Sequence, residues 1–434
     1  DTGKVHPEEW FDDGNEDDDY DEENGDLDAS ETNRLVREIR NIFTGSYSYV
    51  GYTATPFANV LIDPYEEDDI LGKSLYPSNF IISLDKPEGY IGSADLFPDD
   101  GDEFQKINKI CLTPEIDARL MENGGIDTAI HDSEEMPNSI KSAIADFILT
   151  GTVKDLRFQK PNHHSMLIHT SHLSDIQNTT YKNVELLWDN WSTELKFPPL
   201  KKEEWNIMDF IKERWNSEFF RKDERTNETW ENIKEMIPVF CKKVTIKEIN
   251  YKSGENLDYD NDADLKVIAI GGNRLSRGLT LEGLTVSYYS RRTRMYDTLL
   301  QMGRWFGFRK GYEDLMRIHM TAELNDWFSW LSEVEDSLRR EISRYSEEGK
   351  TPMELATRIK THPTMKVTSR LKMRAAVKSN SSWDGREAET YFFDFDKPEI
   401  LKNNLNYFVK LISSISDKRD YEIETLYRGI DPEK

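Results

Sequence analysis

The sequence predicts an α/β fold: a largely parallel sheet covered by helices on both faces, with a helical insertion and a mainly helical C-terminal region. Three observations predict it. Nearly continuous apolar runs at 165-SMLIHT-170, 244-VTIKEIN-250, 265-LKVIAI-270, 284-LTVSYYS-290 and 315-LMRIHMT-321 read as strands buried on both faces. Helical periodicity comes before and between them, as in 138-NSIKSAIADFILT-150, where Ile140, Ile144, Phe147 and Ile148 share a face. Loops rich in glycine, hydroxyls and arginine follow several of the runs, at the strand ends where open α/β sheets bind ligands.

Taken in order, the first thirty residues hold fourteen acids against Lys4 alone, so half of the net charge of −26 sits there. Like charges without apolar partners predict a solvated, disordered segment. Residues 33–43 show a helical period, and 47-YSYVGYTA-54 reads as a buried strand. That strand opens into 53-TATP-56, where Pro56 stops the ladder and Thr53 and Thr55 stand at its end. The triplet 72-GKS-74 is no phosphate-binding loop, because position 67 is Glu and the chain holds no GxxxxGK[ST]. No DEAD-like acidic motif follows a strand either.

The strand at 165–170 delivers Thr170, Ser171 and Ser174 to a helix start, to cap it or to hold an anion. Residues 175–240 read as a helical insertion with a small core of its own, built on five of the ten tryptophans. The loop 271-GGNRLSRGLTLEGL-284 combines glycines that permit close backbone approach with Arg274 and Arg277, which reach phosphates. A long amphipathic helix spans 322–345, and 391-YFFDFD-396 is a candidate strand. The domains expected are an acidic segment at 1–30, part of a first lobe with a linker at 31–150, a second lobe at 151–330 and a helical region at 331–434.

No run of eighteen apolar residues exists, and Cys111 and Cys241 have neither CxxC nor His partner spacing. The sequence therefore predicts no membrane span, no disulfide framework and no zinc knuckle, in a cytoplasmic setting.

Three segments, in this order, carry a resemblance: 49-YVGYTATPFAN-59, 271-GGNRLSRGLTLEGL-284 and 301-QMGRWFGFRKGYEDL-315. Together they resemble the Z1 domain family of bacterial helicase-like proteins of superfamily 2, often labelled endonucleases, over about Leu35 to Pro363. The resemblance implies a RecA-like sheet, the second helicase lobe, and an ATP-dependent motor on DNA or RNA, with ATP and Mg²⁺ between two lobes. A bacterial or phage defence or restriction setting, with partner proteins unknown, is implied with it. It further implies that Thr53, Thr55, Arg277, Gly278 and Gly303 bind or couple the nucleotide, and that Gln301, Arg304 and Arg309 act in catalysis. Thr170, Ser171, Arg274 and Thr280 would then contact nucleic acid.

Arg309 is assigned as the arginine finger and Arg304 as a γ-phosphate partner. The spacing QxGRxxxxR, where helicases commonly have QxxGRxxR, leaves the choice between them open. Thr280 stands where many helicases have Asp. The phosphate-binding loop and the Mg²⁺ ligands would precede this chain, which reads as a fragment inactive by itself. Two other readings stand beside the motor. One is an endonuclease component, whose loose metal-binding match is 194-ELK-196; the other is a non-catalytic nucleic-acid-binding scaffold with a RecA-like fold.

Overall fold

A computed structural model describes residues 31–97, 109–125, 136–197, 206–217, 228–367, 398–414, 417–420 and 425–428, apart from positions 44, 46, 69, 260, 277, 278, 355–358, 360 and 363. The acidic segment 1–30 and the candidate strand 391–396 lie outside the described residues.

Helix α1 (Glu31–Ile42) forms as its periodicity predicts and grips a small hairpin of β1 (Glu67–Asp68) and β2 (Gly72–Lys73). Arg37 donates to the Gly72 carbonyl, and Arg40 donates to the carbonyls of Lys73 and Ser74. The GKS triplet thus serves a hairpin, with Gly72 at φ 69° making the turn. The strand expected at 47–54 is not formed. These residues pair with no strand among the described residues and are exposed, Tyr52 to 92%. An apolar run becomes a strand only where a neighbour completes its ladder, and the sheet is bounded by other strands on both edges.

The short helix α2 (Phe57–Val60) follows Pro56; β3 (Tyr90–Ile91) and the one-turn α3 (Ser93–Leu96) come next. The main sheet begins with β4 (Ile110–Leu112), which the sequence reading missed. After α4 (Glu115–Glu122), the long α5 (Asn138–Phe158) leads into β5 (His164–His169). Helices α6 (Ser174–Lys196), α7 (Ile207–Asn216) and α8 (Trp230–Cys241) then precede β6 (Val244–Ile249). The remaining strands are β7 (Lys266–Gly271), β8 (Leu284–Tyr289) and, after two intervening segments, β10 (Arg317–Met320).

All six strands are parallel, in the order β4-β10-β8-β5-β7-β6. The strands expected near 165, 265, 284 and 315 are neighbours, and the arrangement is consistent with a RecA-like fold. Side chains alternate along each strand: Met166 and Ile168 pack beneath α5, while Leu167 enters a separate cluster with Val267 and Leu284 on the other face. Helix α5 is buried on nearly every side because α7 and α8 cover its outer surface. Its Gly151 admits the Phe240 ring of α8, which a Cβ would meet at 2.2 Å. Among the described residues the insertion shares its core with the rest of the fold: Trp188 and Trp191 of α6 join the cluster of α5 and the sheet.

Helix α11 (Ala322–Glu348) buries Leu324, Phe328, Leu331, Val334, Leu338 and Ile342 in another cluster, on the periodicity read from the sequence. Residues 377–434 form a second unit, in which α12 (Pro398–Ser414) precedes an antiparallel hairpin of β11 (Asp417–Asp420) and β12 (Thr425–Arg428).

Candidate functional site

The segment 301-QMGRWFGFR-309 closes helix α10 (Tyr296–Met302) and turns back across the sheet. Gly303 ends the helix, and a Cβ there would meet the Phe306 ring at 2.5 Å, so the turn can be this tight only with glycine. Gly307, at φ 135°, starts β9 (Gly307–Phe308), which pairs antiparallel with β3. Between them Trp305, 1% exposed, inserts its ring edge-on among Tyr289, Phe306 and Phe328. Phe308, in contrast, is 56% exposed and meets the edge of the Tyr90 ring on the paired strand β3.

Arg309, expected as the finger, packs against backbone carbonyls. Its guanidinium is 8% exposed and donates to four backbone carbonyls: Leu284 at 3.0 Å, Phe308 at 2.8 Å, Arg304 at 3.4 Å and Trp305 at 3.5 Å. A side chain committed in this way ties the segment to the start of β8 and leaves one of its five N–H donors, on Nη1, to meet a developing charge. Arg304 is placed differently. It donates to the Leu279 carbonyl of the 271–284 loop, and its Nε is buried without a partner among the described residues. Burial holds its guanidinium below the usual arginine range.

The 53–56 loop folds on itself: the Thr55 amide donates to Thr53 Oγ1 at 3.1 Å, and that hydroxyl donates to the Thr55 carbonyl at 3.2 Å. Phe57, the next residue after Pro56, is buried edge-on against Tyr296 of α10. Gln301 Nε2 then donates to Thr55 Oγ1 at 3.4 Å. Three segments far apart in sequence therefore meet: Thr53 and Thr55 through Gln301, and the 271–284 loop through Arg304. Arg277 and Gly278 lie outside the described residues.

Thr170, Ser171, Arg274 and Thr280 were expected to contact nucleic acid. Thr170 and Ser171 are buried just past the end of β5, where Ser171 Oγ accepts from the Leu173 amide. Arg274, on α9 (Asn273–Ser276) past the end of β7, donates to the Asn250 carbonyl at 2.6 Å and to Asn256. Thr280 is exposed on the connection that runs back to the start of β8, and no described contact links it to the other three.

At those ends stands a group that the sequence reading did not name. Arg291 donates to His169 Nε2 at 3.4 Å and to Asn273, and the hydroxyls of Tyr289 and Ser290 are buried without partners among the described residues. The signal was present as 290-SRR-292 directly after a buried strand. Arg292 itself is taken up by Glu115, Glu122 and Glu323. Burial first, and then the Arg291 charge, push His169 well below its ordinary range, so it accepts from Arg291 as a neutral ring. Burial likewise pushes His164 down.

The sign of the pH effect follows. Below pH ~6.5 the unfolded chain binds a proton that these folded histidines refuse, so stability is lost as pH falls, by at most about 1.4 kcal/mol per pH unit for each histidine. His169→Gln is expected to flatten the fall of the unfolding midpoint between about pH 7 and about pH 5. An unchanged slope would show that His169 titrates normally in the fold.

The donors at the three meeting segments are hydroxyl, amide and guanidinium groups, with Glu282 the sole carboxylate side chain among residues 53–56, 271–284 and 301–309. Such a set suits phosphate oxygens and not a divalent cation. The triplet 194-ELK-196 closes helix α6, where Glu194 accepts from the Ile207 amide, so it offers no strand-borne metal site. Among the described residues, no helix is long and apolar enough to cross a membrane.

No curated protein and no solved structure matches the chain. A family model described as the Z1 domain matches residues 139–367, a span that takes in the parallel sheet from α5 onward, the 271–284 loop and the QMGRWFGFR turn. The chain belongs to the Z1 domain family.

Proposed function

We propose that this chain works in an ATP-dependent, helicase-like motor of the superfamily 2 type acting on DNA or RNA. The observation that supports it best is the meeting of the three segments, with Gln301 on Thr55 and Arg304 on the Leu279 carbonyl. A motor needs a nucleotide-sensing group mechanically joined to the loops that hold the track. Here α10 makes that joint, with Gln301 at its end and Arg304 one residue past its Gly303 cap.

ATP, when bound, supplies the phosphoryl chemistry. The chain's own residues would orient it: Thr53 and Thr55 as hydroxyl donors, and Arg304 as the cation that gains a phosphate in place of a carbonyl. Residues holding Mg²⁺ are not among the three segments. The strand-end group of Arg291, Ser290 and Thr170 would meet backbone phosphates rather than bases. The one triplet that the sequence offers to the endonuclease reading, 194-ELK-196, closes a helix.

The test is ATP hydrolysis by the full-length protein with and without single-stranded DNA or RNA. Stimulation by nucleic acid is expected, and Gln301→Ala is expected to lower the stimulated rate more than the basal one. Absence of hydrolysis with every nucleic acid, alongside intact salt-dependent binding, would favour the scaffold reading instead.

A further inference from the structure

Away from these segments, four ionisable or nucleophilic side chains converge on the face of the sheet beneath α5. Cys111 of β4 and His319 of β10 stand opposite one another in parallel register, so their side chains leave the same face. Asp146 of α5 reaches down to them: His319 Nε2 lies 3.0 Å from its Oδ2. Arg214 of α7 closes the group, with Nε 3.0 Å from Asp146 Oδ1 and an Nη 2.6 Å from Oδ2. The Cys111 sulfur, an Asp146 oxygen and a His319 nitrogen all lie within 4.8 Å of one another. The Cys111 sulfur lies close enough to act electrostatically on both His319 and Arg214. The Tyr288 ring stacks on His319 and turns its own hydroxyl to Ser139 at 3.0 Å.

Asp146 and His319 are buried, whereas Cys111 is partly exposed and has no disulfide partner. Burial opposes a charged imidazole, but the Cys111 sulfur and the Asp146 carboxylate outweigh it and raise His319 to about 9. At neutral pH two cations therefore share one carboxylate. An unbalanced buried charge is costly, and the remaining group that acts on both cations is the Cys111 sulfur.

We propose that Cys111 is a nucleophilic thiol that hydroperoxides oxidise to the sulfenic acid, with His319 and Arg214 as positioning residues. The sulfur attacks one peroxide oxygen; an S–O bond forms as the O–O bond breaks. Sulfur gives up two electrons, and the peroxide accepts them. The departing oxygen takes a proton from the His319 imidazolium, which recovers the thiol's proton, so thiol and hydrogen peroxide yield sulfenic acid and water. The thiol needs peroxide-sized access only, which the partial exposure of Cys111 allows. This site is independent of the motor reading.

Cys241 is an internal control, since burial pushes its thiol up to about 12. The experiment treats the native protein with hydrogen peroxide and dimedone and reads the adduct at each cysteine by mass spectrometry. Cys111 is expected to label at least roughly tenfold faster than Cys241 and than free cysteine at the same pH. His319→Gln and Arg214→Lys are each expected to slow Cys111 labelling about tenfold, and His319→Gln to remove the change in labelling rate around pH 9, where His319 gives up its proton. Equal labelling of the two cysteines in the wild-type protein overturns the proposal, and that comparison needs no variant to fold. Labelling unchanged in folded forms of both variants overturns it as well. Stoichiometric Zn²⁺ binding that blocks labelling and is lost in Cys111→Ser would assign the cluster to a metal ion instead.

Discussion

Replacing Arg304 by alanine is expected to lower ATP turnover of the full-length protein by roughly 10³-fold or more while ATP binding changes only a few-fold. An arginine that meets charge developing on the γ-phosphate acts mainly in the transition state, so its loss appears in kcat rather than in ground-state binding. Arg304 keeps more of its donors for this than Arg309 does. One of its donors meets the Leu279 carbonyl, and its buried Nε has no partner among the described residues. Arg309, by contrast, is committed to four carbonyls. Arg309→Ala is therefore expected to lower the unfolding midpoint and to affect turnover only through disorder of the segment. Steady-state kinetics of both variants, with nucleic acid saturating, separates the roles. Near-normal kcat in Arg304→Ala would remove it from the chemistry, and a loss confined to Arg309→Ala would restore the sequence-based assignment.

The difference between those two arginines shows where sequence reading stops. Periodicity and runs of apolar residues are local, and they placed β5, β6, β7, β8, β10, α5 and α11, because each element's burial is written in its own residues. Strand β4 is three residues long, too short for a periodic signal, and it is defined by the neighbour it pairs with. The run at 47–54 has the composition of a strand but no ladder partner in the fold, so composition misled there. The tryptophans of the insertion were recognisable as packing residues. That Trp188 and Trp191 pack on α5 and the sheet depends on how α6 lies, which no local pattern encodes. The three motif segments were legible as segments, since glycine, arginine and aromatic residues have few other uses in that combination. Which guanidinium faces carbonyls depends on Leu284 and Leu279, twenty-five residues from Arg309 and Arg304 respectively.

Trp305→Ala is expected to destabilise the protein by about 3–5 kcal/mol, the range for deleting a fully buried aromatic side chain. Trp305 is ringed by Tyr289 at 5.6 Å, Phe306 at 5.9 Å and Phe328 at 5.2 Å between centroids, and so joins β8, its own turn and α11. Those three rings belong to elements that cannot all move inward, so the cavity persists and the cost falls toward the upper end. Trp305→Phe is expected to cost much less, because it keeps an aromatic filler and removes an indole N–H buried without a partner among the described residues. Phe308→Ala, at an exposed position one residue before Arg309, is expected to cost under about 1 kcal/mol. Denaturant unfolding of the three variants reads these values directly. Equal losses at Trp305 and Phe308 would mean that the turn is held by the β3–β9 pairing rather than by the indole. If the indole holds the turn, Trp305→Ala also loosens Arg304, and turnover falls in a variant that leaves both arginines in place.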